Sequence, residues 1–400
     1  MPGRIVLYGA TGYTGGLVAR SMVASGVRPI LAGRDRNRLA ALAAQLSLPG
    51  DGTALETAVA DAEPGPLRDL VGPGDVLVST AGPFVSVGRA VVRAAADVGA
   101  VYLDSTGEPP FIRQVFEEFG PRAEGTGAAL LTAFGYDYVP GNLAGALALR
   151  AAGPAATAVR VGYFISRNIR GASSAGTRAS VVGLLLEPGY ALRGGRVVTE
   201  RTAAHVTSFE VDGDTRQGFS IGSSEHFALP RLRPATSGSG WVAAPGAGLV
   251  ATPASGRERD GMPEPLTDVG VYLGWFGRAT RLVQYGFALA GSVERVPGLR
   301  QALNSQVRRL QRGRGEPSTA ARIRSDVVAV ASDASGGPLA TVRLSGADPY
   351  SFTGRILAWA ACEAATRGVR SAGALGPVEA FGLDLLEGAC ADAGFRRAPD

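Results

Sequence analysis

The stretch "RIVLYGATGYTGGLVAR", Arg4 to Arg20, limits the fold more than any other part of this 400-residue chain. A β-branched apolar run breaks into three glycines spaced three apart, Gly9, Gly12 and Gly15, and an Ala/Leu/Val-rich helical run follows. In that setting each glycine has a physical role. Gly9 permits the tight turn, Gly12 lets the backbone approach a pyrophosphate, and Gly15 lets helix and strand pack closely. The N–H groups and the positive dipole end of the helix then favour an anion. Gly9, Thr11, Gly12, Tyr13, Thr14 and Gly15 are therefore a candidate phosphate seat, with a tight turn lacking a ligand as the alternative.

From Met1 to about Phe134, short apolar runs alternate with helical ones. The strand candidates are "RIVLYG", "RPILAG", "LETAVA", "DVLVST", "AVYLDS" and "AALLTAF", and the helix candidates are Tyr13–Ser25, Arg36–Leu46, Val87–Val98 and Pro110–Glu124. Continuous apolar strands of this kind suit a parallel sheet buried on both faces, so the first third reads as an α/β, Rossmann-type doubly wound sheet. Ligands of such a sheet bind beyond the carboxyl ends of its strands.

The second strand decides between cofactors. An NAD site places an acid there, whereas this chain reads "LAGRDRNRL". Gly33 is followed by Arg34, whose guanidinium can meet a 2′-phosphate, and Arg36 or Arg38 can add a second contact. Asp35 reads as the N-cap of the next helix. NADP(H) is the cofactor expected. After the fourth strand, Ala81, Gly82, Pro83 and Phe84 leave room for the nicotinamide end, with Pro83 and Phe84 as a wall. Asp104, Ser105, Thr106 and Glu108 follow the fifth strand, and Gly135, Tyr136, Asp137 and Tyr138 follow the sixth; of these, Asp104, Gly135 and Asp137 are expected cofactor contacts.

Several chemistries are excluded. The 40 basic residues other than histidine are all arginine, so no lysine is present for a Schiff base or a Walker-type loop. Two histidines and two cysteines far apart in sequence form no metal-ligand pattern. The net charge of +5 is spread along the chain, which argues for a solvated surface rather than a nucleic-acid patch. No apolar run is long enough for a membrane span, no signal peptide is read at the start, and two cysteines do not make a disulfide framework, so a cytoplasmic protein is expected.

The chain resembles the saccharopine dehydrogenase-like family of NADP-binding reductases, and within it the trans-acting enoyl reductase branch. The resemblance rests on "YGATGYTGGLVA", "LAGRDRNRLAAL", "STAGPF", "YLDSTGE", "FGYDYVPGNLAG", "DPYSFTGRILAWAA" and "GALGPVEAFGLDLLEGACADAGF". Where the family's usual phrase resembles "GFDSVPSDL", this chain has "GYDYVPGNL"; Tyr138 and Asn142 depart from it. The resemblance implies NADPH and a Rossmann domain paired with a substrate domain. The expected limits are 1–135 for the Rossmann domain, completed by 347–400, and 136–346 for an α+β substrate domain with a mixed or antiparallel sheet.

The remaining segments read in that frame. "ATAVRVGYFISR" alternates as a half-exposed strand with Val159, Val161, Tyr163 and Ile165 on one face. A helix is expected from Ser173 or Ser174 to Gly189, with Ser174, Thr177 and Arg178 bordering the cleft. "GRVVTER", "HVTSFEV", "GFSIG" and "DVGVYLGWF" read as strands, Pro234 to Pro265 as a loop, Gly277–Leu310 as helical, and "RIRSDVVAVASDASGGPLATVRLSG" as a hairpin. Two helices, Ser351–Arg367 and Val378–Ala393, close the chain. The candidate proton donors are Tyr138, Tyr163 and His226, or water.

The expected activity is NADPH-dependent hydride transfer to an enoyl-type C=C bond of a polyketide, lipid-like or secondary-metabolite intermediate. The substrate is a small molecule that can be carried as a thioester, and a homodimer is compatible with the sequence. One alternative is a saccharopine-type imine reductase, for which Arg167, Arg170 and Arg178 would meet substrate carboxylates. Another is a non-catalytic NADP-binding protein.

Overall fold

The structure is a computed structural model that describes residues 2–46, 54–165, 188–234, 241–243, 265–293, 323–346 and 348–398. The expected helix from Ser173 and residues Arg167, Arg170, Ser174, Thr177 and Arg178 lie outside the described residues, as does most of the Pro234–Pro265 loop.

The first part of the chain runs β1 (Ile5–Tyr8), α1 (Tyr13–Ala24), β2 (Ile30–Gly33), α2 (Arg36–Gln45), β3 (Thr57–Val59), α3 (Pro64–Arg68), β4 (Val76–Ser79), α4 (Phe84–Val98) and β5 (Val101–Asp104). A helical stretch follows as α5 (Pro109–Gln114), one π-turn (Val115–Phe119) and α6 (Gly120–Thr126), then β6 (Ala129–Leu131) and α7 (Val139–Ala152). All six expected strands form, and every pairing among them is parallel. β1, β2, β4 and β5 are buried at every residue, as strands covered by helices on both faces must be.

The second part contains β7 (Ala158–Ile165), β8 (Gly189–Arg193), β9 (Arg196–Glu200), β10 (Val206–Val211), β11 (Asp214–Ser220), α8 (Glu225–Ala228), β12 (Leu232–Pro234), β13 (Trp241–Ala243), β14 (Asp268–Leu273), α9 (Thr280–Val293), β15 (Ser325–Ser332) and β16 (Pro338–Gly346). The chain ends with α10 (Pro349–Arg367), β17 (Gly373–Ala374), α11 (Pro377–Phe381), α12 (Leu383–Asp392) and β18 (Phe395–Arg397). β17 joins β6 in parallel, so the first sheet has the order β17-β6-β5-β4-β1-β2-β3. The second sheet is mixed: β10-β11-β14-β7-β15-β16-β18, with β8 on β14 and β9 on β8. Only β14 and β7 run parallel within it.

Four sequence expectations change. β7 is not half-exposed: Gly162, Tyr163 and Phe164 are all buried, because the strand is central between β14 and β15. Its second face packs Phe164 against Phe209, Tyr272 and Val328. Gly189, expected to end a helix, opens β8. Trp241–Ala243, expected in a loop, pairs with β12. The last expected helix divides at Gly382, whose φ of +88° interrupts helical geometry.

The C-terminal return brings α10 against α1. A Cβ on Gly354 would lie 2.9 Å from Leu17 Cβ, so glycine is what permits that approach. The Tyr350 ring meets Tyr13 of the glycine loop edge-on, with centroids 5.4 Å apart.

Candidate active site

Because the first sheet is parallel, Gly9–Gly15, Arg34, Thr80–Phe84, Asp104–Glu108 and Thr132–Tyr138 all fall along one edge. At its centre Gly9 turns with φ +83°, and its missing side chain leaves the backbone N of Ala81 2.9 Å from where a Cβ would stand. A Cβ on Gly15 would overlap the Gly9 carbonyl oxygen and lie 2.8 Å from Thr80 Oγ1. These two glycines close the loop on itself. Gly12 differs: it is exposed, and its Cβ would meet only the Gly9 carbonyl oxygen at 3.3 Å. Its open side faces outward.

The starts of α2, α4 and α10 are each held by an acid, whereas those of α1 and α7 are not. Asp35 caps α2 by accepting from Asn37 N at 3.0 Å and Arg38 N at 3.1 Å, and Asp348 caps α10. Glu108 accepts from Phe84 N at 3.0 Å and Val85 N at 2.9 Å, taking the anion position of α4. Helix α1 has no side-chain cap and no acid in its first turn. An uncapped helix start behind a glycine turn is what an external anion requires.

Arg34 is exposed just past β2, close enough for its charge to oppose the burial that raises the Tyr8 hydroxyl pKa. Arg38 donates from Nη2 to the Thr11 carbonyl at 2.7 Å, tying α2 to the glycine loop. Among the described residues Arg34 and Arg36 have no hydrogen-bond or ion-pair partner, and both are exposed just past the end of β2.

Three expected contacts turn inward. Phe84 is buried and packs on Phe111 at 5.7 Å between ring centroids, so the half-buried Pro83 is the more open member of the expected wall. Asp104 is fully buried and accepts from Thr106 N at 2.9 Å, Ala133 N at 2.9 Å and Thr132 Oγ1 at 2.8 Å. Burial pushes its carboxyl up to about 6 against those bonds, and it holds the loops after β5 and β6 together. Gly135 faces α10: a Cβ there would meet Thr353 Cγ2 at 2.9 Å.

The candidate proton donors converge on one buried polar group. Tyr163 Oη accepts from Gly141 N at 3.0 Å and donates to Glu225 Oε1 at 2.7 Å. The Tyr138 ring meets Tyr163 edge-on at 5.8 Å. Asn142 Nδ2 donates to the Tyr138 carbonyl and to Ser224 Oγ, each at 3.0 Å. Gly141 has no alternative, since a Cβ would overlap both Tyr163 Oη and Glu225 Oε1. His226 Nδ1 pairs with Ser223 Oγ at 3.0 Å, and burial lowers the ring to about 4, which keeps it neutral. Asn142 Oδ1, Glu225 Oε2 and His226 Nε2 are buried without a hydrogen-bond partner. Three such atoms in one place are uncommon in a native interior.

Glu225 is the member that sequence reasoning missed. It is fully buried, and burial drives its carboxyl up to about 7, with the nearby Asp137 charge adding to the rise. Its one sequence signal is an acid inside "SSEHFALPRL", where the flanking residues are apolar or small. Asp137 is half-buried and has no hydrogen-bond partner among the described residues; burial alone raises it to about 7. Its Oδ2 lies 3.1 Å from the position a Gly107 Cβ would take, against the loop after β5. No group of three potential metal ligands occurs among the described residues, and no helix there is long and apolar enough to cross a membrane.

This fold and edge define a dinucleotide-binding α/β architecture joined to a mixed-sheet domain. Residues 5–131 match the saccharopine dehydrogenase NADP binding domain, in agreement with the family resemblance and the expected cofactor. A Mycobacterium tuberculosis protein provisionally named a trans-acting enoyl reductase is 35% identical over 184 residues, 45% of this chain and 44% of that protein. The trans-acting enoyl reductase of Mycobacterium leprae is 39% identical over 142 residues, 35% of this chain and 34% of that protein. The matches thus span less than half the length of these relatives. A substituted meso-dapdh crystallised with DAP, from Clostridium tetani, is 12% identical with a TM-score of 0.41 over 97% of this chain and 95% of that one.

Proposed function

We propose that the chain is an NADPH-dependent reductase acting on an enoyl-type C=C bond of a polyketide, lipid-like or other secondary-metabolite intermediate, as a small molecule or a carried thioester in the cytoplasm. The observation that carries the reading is the uncapped start of α1 behind Gly9, Gly12 and Gly15, with Arg34 exposed where an NAD site has an acid. The loop from Gly9 to Gly15 would hold the pyrophosphate, and Arg34 the 2′-phosphate. Gly33 would let the adenosine approach the end of β2, and Ala81, Gly82 and Pro83 would line the nicotinamide end. When bound, NADPH supplies the hydride.

The chain's own contribution is position, exclusion of water and a proton. Tyr138 and the Tyr163–Glu225 pair stand beyond β6, on the half of the edge away from Arg34. All three are buried, so the polar groups they present act in surroundings of low dielectric, where each is worth more than in water. The names of the mycobacterial relatives support the enoyl substrate class. An imine reductase would use Arg167, Arg170 and Arg178, which lie outside the described residues.

Fluorescence titration with NADPH and NADH, repeated on Arg34→Ala, tests the cofactor. The parent protein is expected to prefer NADPH by roughly tenfold to a hundredfold, the worth of one or two charge-assisted hydrogen bonds, and Arg34→Ala to lose most of that preference. Equal affinity for both cofactors in the parent removes the argument. An NADPH-oxidation screen over unsaturated thioesters, cyclic imines and keto acids tests the substrate class.

A further inference from the structure

We propose that Asp137 is the proton donor of the reduction, facing the cleft from the end of β6, while Glu225 behind it stays protonated. The inference rests on the reductase reading and gives Asp137 a role other than the cofactor contact expected from sequence.

Tyr138, Tyr163, Glu225 and His226 are each at most 4% exposed, so none of them reaches the cleft as the residues stand. Asp137 lies close enough to Tyr138, Tyr163 and Glu225 for its charge to act on them, and it is the one partly exposed titratable residue beside them among the described residues. It sits against Gly107 in the loop after β5, on the nicotinamide half of the sheet edge, and a side chain at position 107 would press on its Oδ2. Among the described residues no arginine, backbone N–H or hydroxyl holds its carboxylate, in contrast to Asp104, Glu108 and Glu379, which are all held.

An acid left without donors in a low-dielectric setting keeps its proton near neutral pH, which is what a general acid needs. The groups near it are Tyr136 on the preceding loop, Tyr138 at the start of α7, Tyr163 on β7 and Glu225 on α8, each of which has its pKa raised chiefly by burial and further by the Asp137 charge. None of them is a cation, so among the described residues no opposite charge stabilises an Asp137 carboxylate. Once Asp137 is ionised, Glu225 is harder to ionise, and the second carboxyl keeps its proton.

In the step, one carbon of the C=C bond accepts hydride with its electron pair, and the π pair moves to the neighbouring carbon. That carbon forms a bond to the Asp137 proton as the Asp137 O–H bond breaks. The substrate gains two electrons, the dinucleotide loses two, and the Asp137 carboxylate regains a proton from solvent.

The test uses the full chain, Asp137→Asn and Asp137→Glu. Infrared spectra of the free protein between pH 5 and 9 follow the C=O stretch of protonated carboxyls. The parent is expected to lose an Asp137 band as pH rises through about 7. Asp137→Asn lacks that band, and its Glu225 band fades at lower pH because the repelling neighbour is gone. With a crotonyl N-acetylcysteamine thioester and NADPH, Asp137→Asn is expected to lose about 100-fold or more in kcat, keep its NADPH Kd within about twofold and lose the alkaline limb of kcat/KM. Asp137→Glu restores part of both.

An Asn variant that keeps kcat within about threefold overturns the proposal. So does weakened NADPH binding with kcat retained, or an Asp137 carboxyl already ionised at pH 5. A parent protein that turns over no unsaturated thioester overturns the enoyl reading itself, and the proposal with it.

Discussion

Gly15→Ala tests the seat of the cofactor by pitting two opposing energies against each other. Alanine in a helix interior is favoured over glycine by about 1 kcal/mol. At position 15, however, the added methyl overlaps the Gly9 carbonyl oxygen and lies 2.8 Å from Thr80 Oγ1 and 2.9 Å from Ala10 Cα. Two of these three are backbone atoms that cannot swing aside, so relief requires α1 to move away from β1, and overpacking of this kind costs about 1–3 kcal/mol. The net expectation is lower stability, and a displaced α1 start should raise the NADPH Kd at least tenfold, about 1.4 kcal/mol. Gly16→Ala is the internal control, since its Cβ would meet only the tip of the Arg20 side chain, at 3.2 Å. There the helix preference should win, with a slightly higher denaturation midpoint and unchanged cofactor affinity. Urea denaturation and NADPH titration of both variants read the two effects. If Gly15→Ala gains stability as Gly16→Ala does and binds NADPH as the parent does, the reasoning about close helix–strand packing is wrong.

Gly12→Ala should weaken NADPH binding without the stability loss of Gly15→Ala: its φ of −77° suits any residue and its surroundings are open, so the denaturation midpoint stays while NADPH affinity falls, as parallel titrations will show. Gly141→Ala drives a methyl into Tyr163 Oη and Glu225 Oε1 and is expected to abolish turnover and lower the thermal midpoint by several degrees; unchanged turnover in steady-state kinetics would remove the polar group from the reaction. Buried titratable groups set opposite pH trends in stability. Glu379 has its pKa raised by burial to about 7, so between its ordinary 4.5 and 7 the native state keeps a proton that the unfolded chain releases, and stability falls as pH rises. His226 is lowered from 6.5 to about 4, so over that window the unfolded chain binds a proton that the native state refuses, and stability falls as pH falls. Each is worth up to about 3 kcal/mol, and urea midpoints against pH for Glu379→Gln and His226→Gln should flatten their respective limbs.

The six strands of the first sheet, the glycine loop and Arg34 were legible in the chain because their signals are local. A buried parallel strand is a short apolar run, a phosphate turn needs glycines at set spacings, and cofactor choice turns on the residue after β2. The same locality explains what was misread. Phe84 and Asp104 occupy positions where such sites carry functional residues, yet the direction of a side chain depends on Phe111, Thr106, Thr132 and Ala133, brought there by other elements. The exposure of β7 could not be read either, because alternation says nothing of a second covering layer.

By itself the sequence determined a Rossmann-type parallel sheet, the place of its glycine turn and the absence of lysine chemistry, since backbone conformation and residue type are properties of short segments. Only the tertiary structure decided which acids matter. Glu225 is about 90 residues from Asp137 in sequence, and both have raised pKa values because folding removes them from water without supplying a cation. Desolvation of that kind belongs to the packed interior, and no local pattern of residues encodes it.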